Sequence, residues 1–287
     1  MILGGIRQGC PVFVLEDGQL LDEIVRRNRE KSPLVHCITN YVTANDCANL
    51  LLASGASPIM ADDPEEAAQI TSMCDALVLN MGTPNPRKLE AMLRAGQAAN
   101  RLGRPVVLDP VGVGGSELRK TAAQRLLERV RIAVIRGNAS EIRTLVQGTS
   151  AHRGVDTDAG GSIEMSCALA RQLAENVGAA VVLTGETDVV TDGRTVFRVR
   201  NGHPMMRSVT GAGCQLSSLT GAFAAACPEN TLYAALAAVC AMGLCGEIAH
   251  RRLSPMDGNA SYRNYHIDAM YNLTPEALEK GANYEIC

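Results

Sequence analysis

Val106-Val107-Leu108-Asp109-Pro110-Val111-Gly112-Val113-Gly114-Gly115 is a short apolar run that stops on a carboxylate and enters a glycine-rich turn. An apolar run without polar alternation reads as a strand buried on both faces, as in a parallel sheet covered by helices. The same grammar recurs on both sides of it. Runs at 34–38, 76–80, 132–136 and 180–184 are equally short and nearly all apolar. Helical patterns fill 44–54, 64–73, 86–102, 117–130, 162–176 and 232–251. This alternation predicts an α/β fold with a mostly parallel central sheet and helices on both faces. One segment breaks the rhythm. Residues 189–191, then Asp192-Gly193, then 195–199 read as a hairpin with a type I′ turn, placing antiparallel strands at one edge. Two long adjacent core helices are expected at 211–226 and 232–251. With no linker, low-complexity tract or internal repeat, one domain is expected over 1–287.

The strands end on polar residues: Asn40, Asn80, Asp109, Arg136 and Thr184. In an open α/β sheet the ligand site lies beyond the carboxyl ends of the strands, so these residues converge on one rim. Asp109 and the turn after it could hold a divalent cation and admit a phosphate close to the backbone. Asp109 could equally serve only to organise that turn. In Arg136-Gly137-Asn138-Ala139-Ser140-Glu141, Asn138 suits a helix N-cap with Glu141 three residues on, close to a capping box. The other reading sets Glu141 on the rim with Asp109. There the two carboxylates would orient a hydrated Mg²⁺ on nucleotide phosphates that Arg136 contacts directly. Val209-Thr210-Gly211-Ala212-Gly213-Cys214-Gln215-Leu216 is a Gly-x-Gly turn opening a helix. Its backbone N–H groups form an anion site at the positive pole of the helix. Cys214 falls in the first turn, where a thiol pKa is expected to be lowered; the alternative is a Cys chosen for its size.

Composition removes several classes of function. The 287 residues include no Trp, three Phe and six Tyr, which argues against modules that stack bases on aromatic platforms. A net charge of −3 leaves no basic footprint for nucleic acid or an anionic membrane. The ten cysteines lack the two-residue gap of a zinc or redox motif, so a reduced, cytosolic chain is expected. No segment reads as a secretory signal. The uncharged stretch at 231–246 is too short for a membrane span and fits a core helix. The P-loop, the dinucleotide fingerprint and the nucleophile elbow are all missing.

Several stretches together carry a family resemblance. They are His36-Cys37-Ile38-Thr39-Asn40 continuing to Asn45, Gly55-Ala56-Ser57-Pro58 leading to Met60, Leu108 through Gly114, Arg136 through Glu141, and Val209 through Cys214. The tail from Gly258-Asn259-Ala260-Ser261 through Asp268-Ala269-Met270-Tyr271 also fits. From about residue 20 to 275 the chain resembles the hydroxyethylthiazole kinases of the ribokinase-like superfamily. Cys214 is the specific mark, because most of that superfamily places Asp there. The resemblance implies a ribokinase-like three-layer α/β/α sandwich. It implies phosphoryl transfer from ATP, with Mg²⁺, to the primary alcohol of 4-methyl-5-(2-hydroxyethyl)thiazole, in cytoplasmic thiamine salvage. A homotrimer with active sites at subunit interfaces also follows from it. Carried over by position, Met60, Asn40, Gly211 and Cys214 would face the thiazole alcohol. Arg136, Thr184 and Asn138 would contact ATP. Asp109 and Glu141 would serve Mg²⁺. The amides of Gly211, Ala212 and Gly213 would stabilise the transferring group, and Cys214 would stand where the base stands. Ala212 replaces a Thr frequent in the family. Residues 1–19 form an extension of unassigned role, and Gly115 and 149–161 carry no assignment. Three other readings remain: a kinase for another small primary alcohol, an ATP- or ADP-dependent dehydratase of hydrated nicotinamide cofactors, and a non-catalytic nucleotide-sensing protein.

Overall fold

A computed structural model of the chain describes residues 17–149 and 162–287. The expected extension at 1–19 and the connection at 149–161 therefore lie almost wholly outside the described residues.

The strands are β1 (Leu34–Ile38), β2 (Ser57–Ile59), β3 (Ala76–Asn80), β4 (Val106–Asp109), β5 (Val134–Asn138), β6 (Ala180–Thr184), β7 (Asp188–Thr191), β8 (Val196–Val199) and β9 (Tyr284–Ile286). They form one sheet in the order β2-β1-β3-β4-β5-β6-β7-β8-β9. The pairs from β2 to β6 are parallel, and those from β6 to β9 are antiparallel. The helices are α1 (Asp17–Lys31), α2 (Ala44–Ser54), α3 (Ala67–Met73), α4 (Pro86–Arg101), α5 (Glu117–Arg129), α6 (Ala139–Thr149), α7 (Ile163–Val177), α8 (Ala212–Ala226), α9 (Thr231–Arg251), α10 (Asn259–Tyr271) and α11 (Pro275–Gly281).

The two-residue period of a strand divides the core between the two sheet faces. Val35, Cys37, Val78, Val107, Val134 and Val182 pack with α1, α2 and α8–α11. Ile38, Leu77, Leu79, Leu108, Ile135 and Leu183 pack on the other face with α4–α7. The result is the expected three-layer α/β/α sandwich. Helix α8 lies directly on the sheet at Gly221, where an added Cβ would stand 2.6 Å from Val78 Cγ2. Helix α9 is long and apolar enough to cross a membrane, yet 83% of its apolar window is buried in the protein. It is the core helix that its sequence suggests.

Two expectations need correction. The fifth strand runs from Val134 to Asn138, not over 132–136, with Arg136 paired to Val182 and Asn138 to Thr184. Polar residues fit inside this strand because their side chains turn into the rim. The hairpin is present, but Thr191 pairs with Val196, so its loop has four residues rather than two. Asp192 Oδ1 accepts the N–H groups of Arg194 (2.9 Å) and Thr195 (2.8 Å). That side-chain closure leaves only Gly193 at positive φ (+95°), whereas a type I′ turn needs two such residues.

Candidate active site

The carboxyl ends of β1, β3, β4 and β5 meet the N-terminus of α8, and their polar side chains form one network. Asn40 Nδ2 donates to Asn80 Oδ1 (2.9 Å) and to Cys214 Sγ (3.4 Å). Asn80 Oδ1 also accepts the N–H of Gly82 (2.9 Å). Those two donors fix the amide of Asn80, so its Nδ2 turns to Asp109 Oδ2 (2.8 Å) and Cys214 Sγ (3.3 Å). Ser217, one helical turn after Gly213, donates its hydroxyl to Asp109 Oδ2 (2.7 Å). Arg136 Nη2 donates to Thr184 Oγ1 (2.8 Å), and its Nη1 lies 3.8 Å from Asp109 Oδ2. Asn40, Asp109, Arg136, Thr184 and Cys214 are thus brought together, as their strand-end and helix-start positions suggested.

The glycines of the α8 turn are set by close approach. Gly211 has φ +84°, and a Cβ there would stand 2.9 Å from Thr43 Cβ. A Cβ on Gly213 would stand 2.7 Å from Arg136 Nη2. The first intrahelical bond runs from Gln215 N–H to Gly211 O (2.9 Å), so the amides of Ala212, Gly213 and Cys214 precede it. Beside them lies a cavity of about 980 Å³ lined by Arg136, Asn138, Thr184, Gly211, Ala212 and Gly213, with His203 and Met242 among the other residues of its wall. Positive helix pole, guanidinium and free backbone donors are chemically suited to an anion.

Asp109 is fully buried, and burial pushes its carboxyl above the ordinary range. Arg136 and the bonds from Ser217 and Asn80 work against that rise. Its Oδ1 is left without a hydrogen-bond partner. A buried carboxylate oxygen with a free lone pair suits a cation or the water on one. Glu141 forms the capping box outright: Asn138 Oδ1 accepts its N–H (3.0 Å), and its Oε2 accepts the N–H of Asn138 (2.8 Å). Its Oε1 accepts the N–H of Gly112 (2.8 Å), which ties the β4 turn to the start of α6. No group of three or more His, Cys, Asp or Glu among the described residues could hold a metal by itself. The donor set therefore fits a hydrated cation shared with a ligand, not a protein cage.

One expectation about Cys214 is overturned. Its thiol pKa is raised, first by burial and then by Asp109, despite the bonds from Thr43, Asn40 and Asn80. The helix pole favours a thiolate, but desolvation and a neighbouring carboxylate outweigh it. Cys214 is a thiol near neutral pH.

Sequence reading placed Asn80 on this rim but missed three other members, Ser217, Arg119 and Asp188. Asn80 was visible as a strand end, and Ser217 follows from helical spacing after Gly213. Arg119 was not legible. Its Nη1 donates to Met81 O (2.6 Å) and Val111 O (2.6 Å), and its Nη2 to Gly82 O (2.8 Å), joining the loops after β3 and β4. Asp188 lines the cavity, with burial pushing its carboxyl up to about 6. Met60 takes no part in the hydrogen bonds of this network. It follows β2, is 37% exposed and does not line the large cavity.

The chain matches the profile of the hydroxyethylthiazole kinase family over residues 25–276. It belongs to the hydroxyethylthiazole kinase family. A hydroxyethylthiazole kinase of Clostridium acetobutylicum is 48% identical over 271 residues, covering 93% of this chain and 99% of its own length. The solved hydroxyethylthiazole kinase protein from Pyrococcus horikoshii OT3 superposes with TM-score 0.85 at 34% identity, over 94% of this chain and 99% of that one. A ribokinase-like superfamily protein of Enterococcus faecalis shares the fold alone, with TM-score 0.59 at 14% identity over 89% and 94% of the two chains. The hydroxyethylthiazole kinase family thus takes its place on a ribokinase-like scaffold, as the motifs around Asp109 and Cys214 suggested.

Proposed function

We propose that this chain transfers the γ-phosphoryl group of ATP to the hydroxyl of 4-methyl-5-(2-hydroxyethyl)thiazole, in thiamine salvage in the cytoplasm. The observation that carries this reading is the meeting of Arg136, Asp109 and the amides of Gly211–Gly213 at one anion-receiving helix pole, in a chain of this family. Arg136, Thr184 and Asn138 hold the nucleotide phosphates. The amides of Gly211, Ala212 and Gly213 meet the charge on the transferring group. Asp109 Oδ1 and Glu141 are the groups that would orient a hydrated Mg²⁺, which when bound would neutralise polyphosphate charge. The alcohol oxygen forms the new bond to phosphorus as the bond to the departing ADP oxygen breaks. The hydroxyl proton leaves late, because a loose transition state places little charge on the nucleophile early. Incubation of the purified protein with Mg-ATP and the thiazole, followed by mass analysis, is expected to give the monophosphate. A folded, ATP-binding protein that makes none would overturn the substrate assignment.

Cys214 is an assisting base, not an indispensable one. Because its thiol pKa is raised, only a minor thiolate fraction can accept a proton near pH 7. Activity of the natural protein should therefore rise with pH above neutrality, since the base must be deprotonated. Cys214→Ser is expected to lower kcat by about ten-fold and to flatten that rise. Cys214→Asp, with an ordinary carboxylate pKa of about 3.9, is expected to stay active at lower pH. Complete loss in Cys214→Ser with ATP binding intact would make the sulfur essential instead.

The alcohol end of the site is Met60, Asn40, Gly211 and Cys214. Met60, 37% exposed beside this end of the site, supports a homotrimer whose sites are completed at subunit interfaces. The apolar side chains exposed after β1, Tyr41 (75%) and Val42 (64%), support the same reading. Light scattering on the purified protein reads the oligomeric mass directly.

A further inference from the structure

Two buried basic side chains next to the alcohol end have no part in the chemistry above. Lys88 is the third residue of α4, after Asn85, which caps the helix, and Pro86. It is 2% exposed. A cation in the first turn faces the positive pole of its own helix, and a buried ammonium gives up its hydration. Burial duly pulls its pKa below the ordinary lysine value. A residue that breaks two local rules at once points to a compensating role.

The partners of that ammonium come from three separate segments. Lys88 Nζ donates to Thr39 O (2.8 Å) at the exit of β1 and to Thr83 Oγ1 (3.2 Å) beyond β3. It stands 3.7 Å from Asp62 Oδ2, just past β2, and 5.3 Å from the centre of the Tyr41 ring. His36, fully buried on β1, reaches the same segment from below. Its Nε2 lies 2.7 Å from Ala61 O and its Nδ1 2.8 Å from Thr71 Oγ1. A carbonyl can only accept, so Nε2 carries the proton and donates to Ala61 O. Ala61 and Asp62 are thus gripped from two sides, immediately after Met60. Thr39, bonded to the same Lys88, immediately precedes Asn40.

We propose that Lys88 and His36 are positioning residues for the alcohol substrate: they hold the Met60–Asp62 segment in register with Thr39–Tyr41, and so fix where Met60 stands relative to Asn40. The proposal rests on the reading of Met60 and Asn40 as the groups that face the alcohol. A purely structural lysine predicts something different. Asp62, the ion partner of Lys88, is 58% exposed and can turn to water, so Lys88→Met leaves no buried charge unpaired. Stability and substrate binding should therefore separate in the variant.

The test compares Lys88→Met, Lys88→Arg, His36→Phe and His36→Gln. Lys88→Met and His36→Phe are expected to raise KM for the thiazole alcohol about ten-fold while KM for ATP stays within about two-fold. Lys88→Arg and His36→Gln, which keep a donor toward Asp62 and Ala61 respectively, are expected to recover most of that loss. Asp62→Asn changes an exposed partner and guards against a folding failure; it is expected to raise the same KM by about two- to three-fold. Amide hydrogen exchange over 59–63 in the ligand-free protein gives a readout that needs no substrate. It should be faster in Lys88→Met and His36→Phe than in the natural chain. Unchanged exchange, or equal rises in both KM values, overturns the positioning role. If the natural protein makes no thiazole phosphate, the functional reading fails, and the exchange experiment still decides whether the two residues hold the segment.

Discussion

Asp109→Asn is expected to cut turnover about a thousand-fold while leaving the ligand-free protein as stable as before, or more so. The two effects have one cause. Asp109 is a fully buried carboxylate with one oxygen unpartnered. Burial raises its pKa, against the lowering by Arg136, Ser217 and Asn80. A carboxyl whose folded pKa lies above its unfolded value of about 3.9 favours the fold only while protonated. That contribution is fully present below the unfolded value and is lost as pH rises through the folded one. As pH rises past the ordinary carboxylate range the natural chain loses that contribution and, once ionised, carries the penalty of a desolvated charge. Asn removes the charge and keeps an oxygen for the Ser217 hydroxyl and Asn80 Nδ2. Melting temperatures measured from pH 3 to 8 should favour Asp109→Asn at pH 7, with the difference vanishing near pH 3. Activity should be lost because the substitution removes the charge of the buried carboxylate beside Arg136, whose Oδ1 is unpartnered. A variant that melts several degrees lower at pH 7, or keeps more than about a tenth of the activity, would contradict this account.

How far the sequence reaches is clear from particular residues. The strands at 34–38, 76–80, 106–109 and 180–184 were legible because they are apolar on both sides and bounded by turns. The fifth was misplaced by two residues, because Arg136 looks like a strand's end and Asn138 like a helix cap, whereas the strand runs on through Asn138. Strands β2 and β9 have three residues each, too few for any period to register. Helices α1, α10 and α11 were not assigned as elements either. Rim residues at strand ends or at a helix start, such as Asp109, Arg136 and Cys214, could be named because topology alone brings such positions together. Arg119, His36 and Lys88 could not. Each acts through a carbonyl, of Val111, Ala61 or Thr39, that only the folded backbone brings within reach. The direction of the Cys214 shift was misread for a related reason: a helix pole is visible in sequence, whereas burial and the distance to Asp109 are not.

Gly213→Ala should separate function from folding as sharply as Asp109→Asn, and by geometry instead of charge. Position 213 lies in the first turn of α8, where Ala is a better helix former than Gly by about 1 kcal/mol. Propensity alone predicts a stabilised variant. The added Cβ, however, would stand 2.7 Å from Arg136 Nη2. The far end of a flexible side chain can yield at little expense to the fold. Yielding here moves the guanidinium away from Thr184 Oγ1, now 2.8 Å from Nη2, and from Asp109. The expected result is an unchanged or slightly higher melting temperature with kcat/KM for ATP down about a hundred-fold. Gly211→Ala makes the contrast. At φ +84° an alanine is strained, and its Cβ would stand 2.9 Å from Thr43 Cβ on a β-branched side chain that cannot swing away. That variant should lose about 1–3 kcal/mol of stability as well as activity. Two glycines two residues apart in one turn would then fail for different reasons: 211 because the backbone needs it, 213 because Arg136 does. Equal melting losses in the two variants would refute that division, as would a Gly213→Ala protein that binds ATP normally.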